Sequence, residues 1–415
     1  MTLHQKHHIR FFLIFLATVL YFLANVQRVA IPGAMFNVLQ SDFMADASKI
    51  TLLGAIFSYV YALTQLVVGI LVDKIGGFRV VAIGCALFAL GAIIFPLSDN
   101  LCGLYISRAL VGCGASTFYI SSIREVKKYS KDSNFSLAVS YILFIGYTGG
   151  IVANAPFVIM VNNMGWRNVL FGLGYFTIFL AALFLITLYV FRPVHIEKKT
   201  EFSLSPFKEI LRNPKNINLY IFGSINYGLY YVLQSVIGNK FLQDFCGFSL
   251  HKSAVVLSIM ALVSAFGGTI LAFISKTLHN RRAGIFKAVA ILSTFSTFSV
   301  CLFLAFDIKT HLIALIFCIP AFIASISPLL VLTLHLYNRY EVSATAVSIQ
   351  NCLFFMMVGF FGTVAGLLMN IFEPETIDGI MIYSNQSYLL VFGLFFLLSL
   401  VEFFCAFKIK DNAQE

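Results

Sequence analysis

Two arginines, Arg28 and Arg108, stand inside long apolar runs of this 415-residue chain. Even on lenient scales a charge held inside a bilayer costs about 3 kcal/mol, so it needs a partner, water or a ligand. The guanidinium fork suits a carboxylate or a phosphate, which it meets through two parallel N–H···O bonds. Arg28 has polar company: Tyr21, Asn25, Arg28 and Pro32 recur at the spacing of one helix face. The next apolar run adds Ser58, Tyr61 and Gln65 as a second stripe. Asn226, Tyr230 and Gln234, with Tyr227 and Tyr231 alongside, form a third in the second half of the chain. Polar, tyrosine-rich faces inside apolar segments suit a water-filled path for a polar solute. By its position in the sequence, no Asp or Glu is expected deep in an apolar run, Glu402 being placed near the inner end of the last one. A solute carrying its own negative group would complete the charge balance, and coupling to a proton or another ion stays open. Structural readings stand beside this one: Arg108 tied to backbone carbonyls, and Arg28 snorkelling to an interface.

The elements that position these residues follow from composition. Hydrophobic residues make up 60% of the chain and charged residues 11%, against roughly 45–50% and about 25% in soluble chains. A helix crossing the hydrocarbon core needs about 20 apolar residues. Twelve such runs are legible, near 11–38, 48–71, 79–97, 101–123, 136–160, 168–191, 217–240, 252–275, 284–305, 311–335, 344–369 and 387–407. The expectation is an all-α polytopic membrane protein of 12 helices in two six-helix halves, 1–195 and 217–415, joined by a linker at 196–216. A short amphipathic helix is expected in that linker, around Phe207–Leu211, on the membrane surface. The basic, His-rich start resembles a signal peptide but has no convincing cleavage site, so the first span is read as retained.

The net charge of +10 is not one basic patch, which argues against nucleic-acid binding. Twenty-one of the 28 Lys and Arg residues fall in one set of alternate loops and five in the other. By the positive-inside rule both termini then lie in the cytoplasm. The eight cysteines contain no CxxC pair and sit mostly in apolar runs, so they read as small buried residues rather than metal ligands. A disulfide between Cys102 and Cys246, both on the expected outer side, is an open alternative. No HExxH, P-loop or pair of acids within the spans supports an enzyme, and neither a cofactor nor a metal is expected. The expected partners are a small-molecule substrate and the lipid bilayer, with a co-transported proton or ion open and the chain a monomer.

One very short loop carries a denser signal. Between the second and third spans the chain reads GILVDKIGGFR, from Gly69 to Arg79. Gly76 and Gly77 permit a tight reversal, Gly69 would let helices approach, and Asp73 could face a helix N-terminus or a base. Gly69, Leu71, Asp73, Lys74, Gly76 and Arg79 resemble the G-x-L-x-D-[RK]-x-G-x-x-[RK] signature of the major facilitator superfamily. RALVGCG resembles that family's R-x-x-x-G-x-G through Arg108, Gly112 and Gly114, and GWR at Gly165–Trp166–Arg167 is a third match. Two departures stand out. The corresponding turn of the second half, AFISKTLHNRRAG, has Ser275 or Lys276 in place of the acid. GYTGGIVANAPF only loosely resembles the family's antiporter signature, which disfavours the runner-up reading, an exporter of a drug or siderophore.

The resemblance implies alternating access, the two halves rocking about a central site. It also implies a gating role for Asp73, meeting Ser343 or a base such as Arg124. QRVAIPGAM and YVYALTQLVVGILVDKIG further resemble a bacterial subgroup that includes intraphagosomal amino-acid transporters. That likeness implies a bacterial inner membrane and an amino acid or organic acid as the first solutes to test. Asn154, Pro156, Pro320 and Pro328 are expected to bend their helices.

Overall fold

A computed structural model describes residues 3–129, 132–191, 205–278, 281–377 and 380–411. Helix α1 (Leu3–Ala30) ends just before Pro32, a residue that cannot donate to a continuing helix. A 3-10 turn at Gly33–Met35 and α2 (Phe36–Phe43) follow. Pro32 therefore leaves the helical face it was expected to share with Tyr21, Asn25 and Arg28. Helix α3 (Ala47–Ile75) starts on Asp46, whose carboxylate accepts from Ser48 Oγ at 2.6 Å and Lys49 N at 3.0 Å. Burial alone would raise the Asp46 carboxyl, yet its hydrogen bonds with Ser48, Lys49 and Asn370 hold it down at about 2.

Helices α4 (Gly77–Leu97) and α5 (Leu101–Tyr129) form a closely packed pair. The close approach comes from Gly114, where a Cβ would stand 2.6 Å from Gly84 O and Phe88 N. A Cβ on Gly112 would meet Phe57 O of α3 at 2.7 Å. The fifth span is broken into α6 (Asp132–Val152) and α7 (Ala155–Met164), bent by 46° at Asn154 with Pro156 in the first turn of α7. Helix α8 (Trp166–Phe191) closes the first half.

The linker helix α9 (Ser205–Arg212) exists, but it is tied to protein. Arg339 grips Glu209 with Nε and Nη2 at 3.1 and 2.7 Å, and Asn216 Nδ2 donates to Ile210 O at 3.1 Å. The seventh span comprises α10 (Pro214–Val232), a π-helical stretch at Leu233–Ile237, and α11 (Gly238–Asp244). Helices α12 (Leu250–Thr277) and α13 (Arg282–Ala305) follow, then a tenth span broken between α14 (Leu312–Ala324) and α15 (Ser327–Tyr337). Pro320 stays inside α14, whereas Pro328 sits in the first turn of α15, at the break. After α16 (Tyr340–Met369) an antiparallel hairpin, β1 (Glu375–Ile377) with β2 (Ile380–Ile382), interrupts an otherwise helical chain, and α17 (Asn385–Lys408) is last.

Among the described residues, nine single helices, the α14–α15 span and the bent pair α6–α7 are long and apolar enough to cross a membrane. With α10–α11 they make the twelve spans of a multi-pass membrane protein. Phe15, Phe144, Phe179, Phe273 and Phe404 are each more than half exposed, a surface that suits hydrocarbon rather than water. The chain packs as two compact units, Met1–Ile31 with Ile56–Glu201, and Pro32–Ala55 with Phe202–Glu415. All eight cysteines are free thiols, Cys102 and Cys246 included.

Candidate functional site

In the first unit Arg28 is half-buried near the end of α1. Its Nη2 donates to Asn25 Oδ1 at 2.6 Å, and Asn25 Nδ2 donates to Tyr21 O at 2.9 Å. The helix thus supplies its own brace, Tyr21 to Asn25 to Arg28. Tyr21 stacks on Tyr119 with ring centres 5.4 Å apart. Tyr61, Tyr119, Tyr147 and Arg28 are all near enough to act electrostatically on Tyr21. Tyr61 stacks on Phe57 at 5.8 Å, and Gln65 is buried on the same helix. A cation within reach of Tyr21, itself among further ring hydroxyls, can hold an anion and a polar body at once. Tyr119 and Tyr147 are the members sequence reasoning missed. Tyr119 stands three turns beyond Arg108 on α5, and Tyr147 belongs to the GYTGG run, read only for its glycines.

Arg108 has a different environment. It is fully buried, its Nη1 and Nη2 donate to Gln27 O and Ile31 O at 3.1 and 3.2 Å, and its guanidinium lies 4.7 Å from the Phe57 ring centre. Gln27 and Ile31 mark the C-terminal end of α1, where carbonyls lose their helical donors. This geometry is that of a cap on α1, one of the two readings the sequence left open.

The short turn is built around Gly76, whose φ of 90° excludes most side chains. Gly77 N donates to Glu125 Oε1 at 2.7 Å, and a Cβ on Gly77 would meet Glu125 Cγ at the same distance. Glu125 is buried and paired with Lys128 at 2.8 Å, a residue the motif did not single out. Asp73 faces Arg124, Oδ1 to Nη1 at 3.4 Å, while Lys74 and Arg79 point to the exposed surface. Gly69 differs from expectation: a Cβ there would meet nothing within 4 Å, so it permits no helix contact. At the opposite end of α4, Arg167 lies 4.3 Å from the Trp166 ring centre and pairs with Asp99 at 3.4 Å.

In the second unit the polar stripe of α10 does not run straight. Asn226 Nδ2 donates to Glu402 Oε1 at 3.0 Å. The π-helical stretch begins at Leu233 and turns Gln234 out of the register of Asn226 and Tyr230. Gln234 Nε2 instead donates to Leu257 O at 3.0 Å. Tyr227 stacks flat on Phe354 at 4.4 Å and leans on Tyr231 at 4.3 Å, and Tyr230 meets Tyr231 edge-on at 4.7 Å. Glu402 is fully buried and also accepts from Ser293 Oγ at 2.7 Å. Glu402 lies six residues before the end of α17, near the end of the last span as the sequence suggested, but its full enclosure was not foreseen.

Segment 32–55 is held in the second unit by polar contacts. Gln40 Nε2 donates to Tyr383 Oη at 2.8 Å, Asn37 Nδ2 to Gln243 Oε1 at 3.0 Å, and Ala47 N to Asn370 Oδ1 at 3.2 Å. Behind Tyr383 is a buried ion pair, Lys240 with Asp244 at 2.9 Å. Asp244 Oδ2 also accepts from Tyr383 N and Tyr388 Oη at 3.1 and 2.8 Å. Burial pushes the Tyr383 hydroxyl above its ordinary value, so it stays a proton-bearing group. Among the described residues, no three His, Cys, Asp or Glu side chains are grouped to hold a metal ion.

A family model described as Major Facilitator Superfamily matches residues 14–363. The chain belongs to the Major Facilitator Superfamily. Among curated relatives, a probable anion transporter 1 of the chloroplast from Oryza sativa subsp. japonica is 24% identical over 173 residues, 41% of this chain and 32% of that one. The riboflavin transporter RibZ of Clostridioides difficile is 27% identical over 168 residues, 37% of this chain and 36% of that one. The matched segment thus spans about a third of the length of these relatives. A solved bacterial homolog of the human lysosomal transporter Spinster shares the fold, with a TM-score of 0.74 at 14% identity, covering 98% of this chain and 99% of that one.

Proposed function

We propose that this chain is a secondary transporter, active or facilitative, that moves a small organic anion across the membrane by alternating access. Amino acids and organic acids are the first solutes. The observation that carries the reading is the Arg28 cluster: a guanidinium braced by Asn25 at 2.6 Å and within electrostatic reach of Tyr21, which Tyr61, Tyr119 and Tyr147 approach in turn. The brace fixes one side of the fork, and the tyrosine hydroxyls supply donors for the rest of a polar solute. A relative named as a probable anion transporter supports the charge. Arg108 is left out of the proposed site because its two terminal nitrogens are committed to backbone carbonyls. The stacked Tyr21 and Tyr119 rings favour a second reading, a flat aromatic solute such as that of the relative named for riboflavin.

Both termini are read as cytoplasmic from the charge asymmetry, which places the Gly76 turn on the cytoplasmic side and segment 32–55 on the outer side. The Asp73–Arg124 pair then belongs to the cytoplasmic gate. The contacts of Gln40, Asn37 and Ala47 hold the outer side.

Thermal-shift titrations of the purified protein against L-glutamate, malate, ascorbate, inorganic phosphate and riboflavin test the solute class. At least one carboxylate should stabilise the protein, and Arg28→Lys should weaken that binding about tenfold or more by losing the fork. Undiminished affinity in Arg28→Lys would count against direct contact.

A further inference from the structure

Glu402 is used by nothing in the proposed site, yet it is among the most enclosed charged side chains of the protein. It lies in α17, less than two turns before the helix ends at Lys408, about 9 Å along the axis. Two neutral groups hold it: the Asn226 amide of α10 on one oxygen and the Ser293 hydroxyl of α13 on the other. A seam of hydroxyls continues beside it, with Thr297 Oγ1 and Ser399 Oγ 3.0 Å apart and Thr294 Oγ1 donating to Ser399 O at 3.2 Å.

The charged and titratable groups of the surrounding helices include no cation paired with Glu402 among the described residues. On α10, the Tyr220 hydroxyl donates to Ala346 O, and Tyr227 stacks on Phe354. On α13, Lys287 lies 5.3 Å from the centre of the Phe407 ring, and Arg282 is at the helix start. On α16, Gln350 donates to Ser224, and the nearest thiol along that helix is Cys352. On α17 itself, Cys405 is within electrostatic reach of both Glu402 and Lys408. No basic side chain pairs with Glu402 among the described residues.

A carboxylate without a cation in so dry a place pays a desolvation cost that two neutral donors do not repay. The acid form fits the same geometry at no such cost. Its carbonyl oxygen still accepts from Asn226, and its hydroxyl donates to Ser293 Oγ. We propose that Glu402, held between Asn226 and Ser293 at the junction of α10, α13 and α17, is a proton-binding site of the transport cycle. The carboxyl holds a proton in the arrangement described and releases it to water entering from the Lys408 end. One proton is gained or lost per carboxyl, and no other bond changes. The carboxylate left behind pulls on the Asn226 amide, one residue from Tyr227 and one turn from Tyr230, so the step is linked to α10. The meaning of this step in a cycle rests on the transporter reading, whereas the protonation itself does not.

Infrared spectroscopy of the full-length protein in hydrated lipid films, without any solute, tests the protonation alone. Wild type should show the C=O stretch of a neutral, hydrogen-bonded carboxylic acid at about pH 7, fading reversibly as the pH is raised towards about 10. Glu402→Gln should lack the band, and Ser293→Ala, which keeps the carboxyl and removes one partner, should shift its frequency. Absence of the band at about pH 7, no change by about pH 10, survival of the band in Glu402→Gln, or no shift in Ser293→Ala would each overturn the proposal.

Discussion

At Gly77 the backbone amide, not a side chain, does the binding: it donates to Glu125 Oε1 at 2.7 Å and leaves no room for a Cβ. The turn is thereby locked to α5, the same helix that carries Arg124 opposite Asp73. Both members of that ion pair are about a third to a half exposed, so its contribution to stability is small. Its place beside a rigid turn suits a contact that forms and breaks during a cycle. Asp73→Asn is therefore expected to slow transport severalfold while leaving membrane abundance unchanged. Uptake rates measured against quantified surface protein check this, and equal rates would remove Asp73 from the gate. The residue types at Arg28 and in the turn were legible because they stand out against an apolar background. Glu402 was visible as a letter, but not its enclosure, because a position near a helix end does not reveal which neighbours cover it. The ambiguity at Arg108 had the same origin: a carbonyl partner leaves no mark in the sequence.

Helix count and most helix positions follow from the lengths of the apolar runs, and the bend at Asn154 and Pro156 from residue type. The breaks that matter most for the site were harder to read. Pro32 was visible, but the resulting 3-10 turn and the separate α2, which carries Gln40 to Tyr383, depend on packing against α11 and the hairpin. The π-helical stretch at Leu233–Ile237 has no proline or glycine within it, so a 3.6-residue period ran straight through it and misplaced Gln234. The hairpin matters because Tyr383, just beyond β2, donates its amide to Asp244, the partner of buried Lys240. Asp244→Asn leaves that ammonium buried without its counter-charge, a loss of about 3–5 kcal/mol. A lower Tm in detergent is expected, and adding Lys240→Met should restore most of it. A single variant as stable as wild type would show that the pair does not hold this region together.

For the whole molecule, the proposed orientation, with both termini cytoplasmic, puts Cys102 and Cys246 on the outer side. Cys102 is exposed, whereas burial pushes the Cys246 thiol up to about 12, only partly offset by Lys252. A membrane-impermeant maleimide added to intact cells at about pH 7 should label Cys102. Cys246 should stay unlabelled, because its reactive thiolate becomes abundant only as the pH approaches its raised value. Labelling of Cys102 only after the membrane is opened would reverse the orientation. Flux through the purified protein, reconstituted in liposomes, is the most direct test of the central reading. Radiolabelled glutamate, malate, ascorbate, phosphate and riboflavin would be offered in turn. At least one carboxylate should enter the vesicles, with uptake falling about tenfold or more in Arg28→Gln. Entry of riboflavin alone, or anion uptake undiminished in Arg28→Gln, would contradict it.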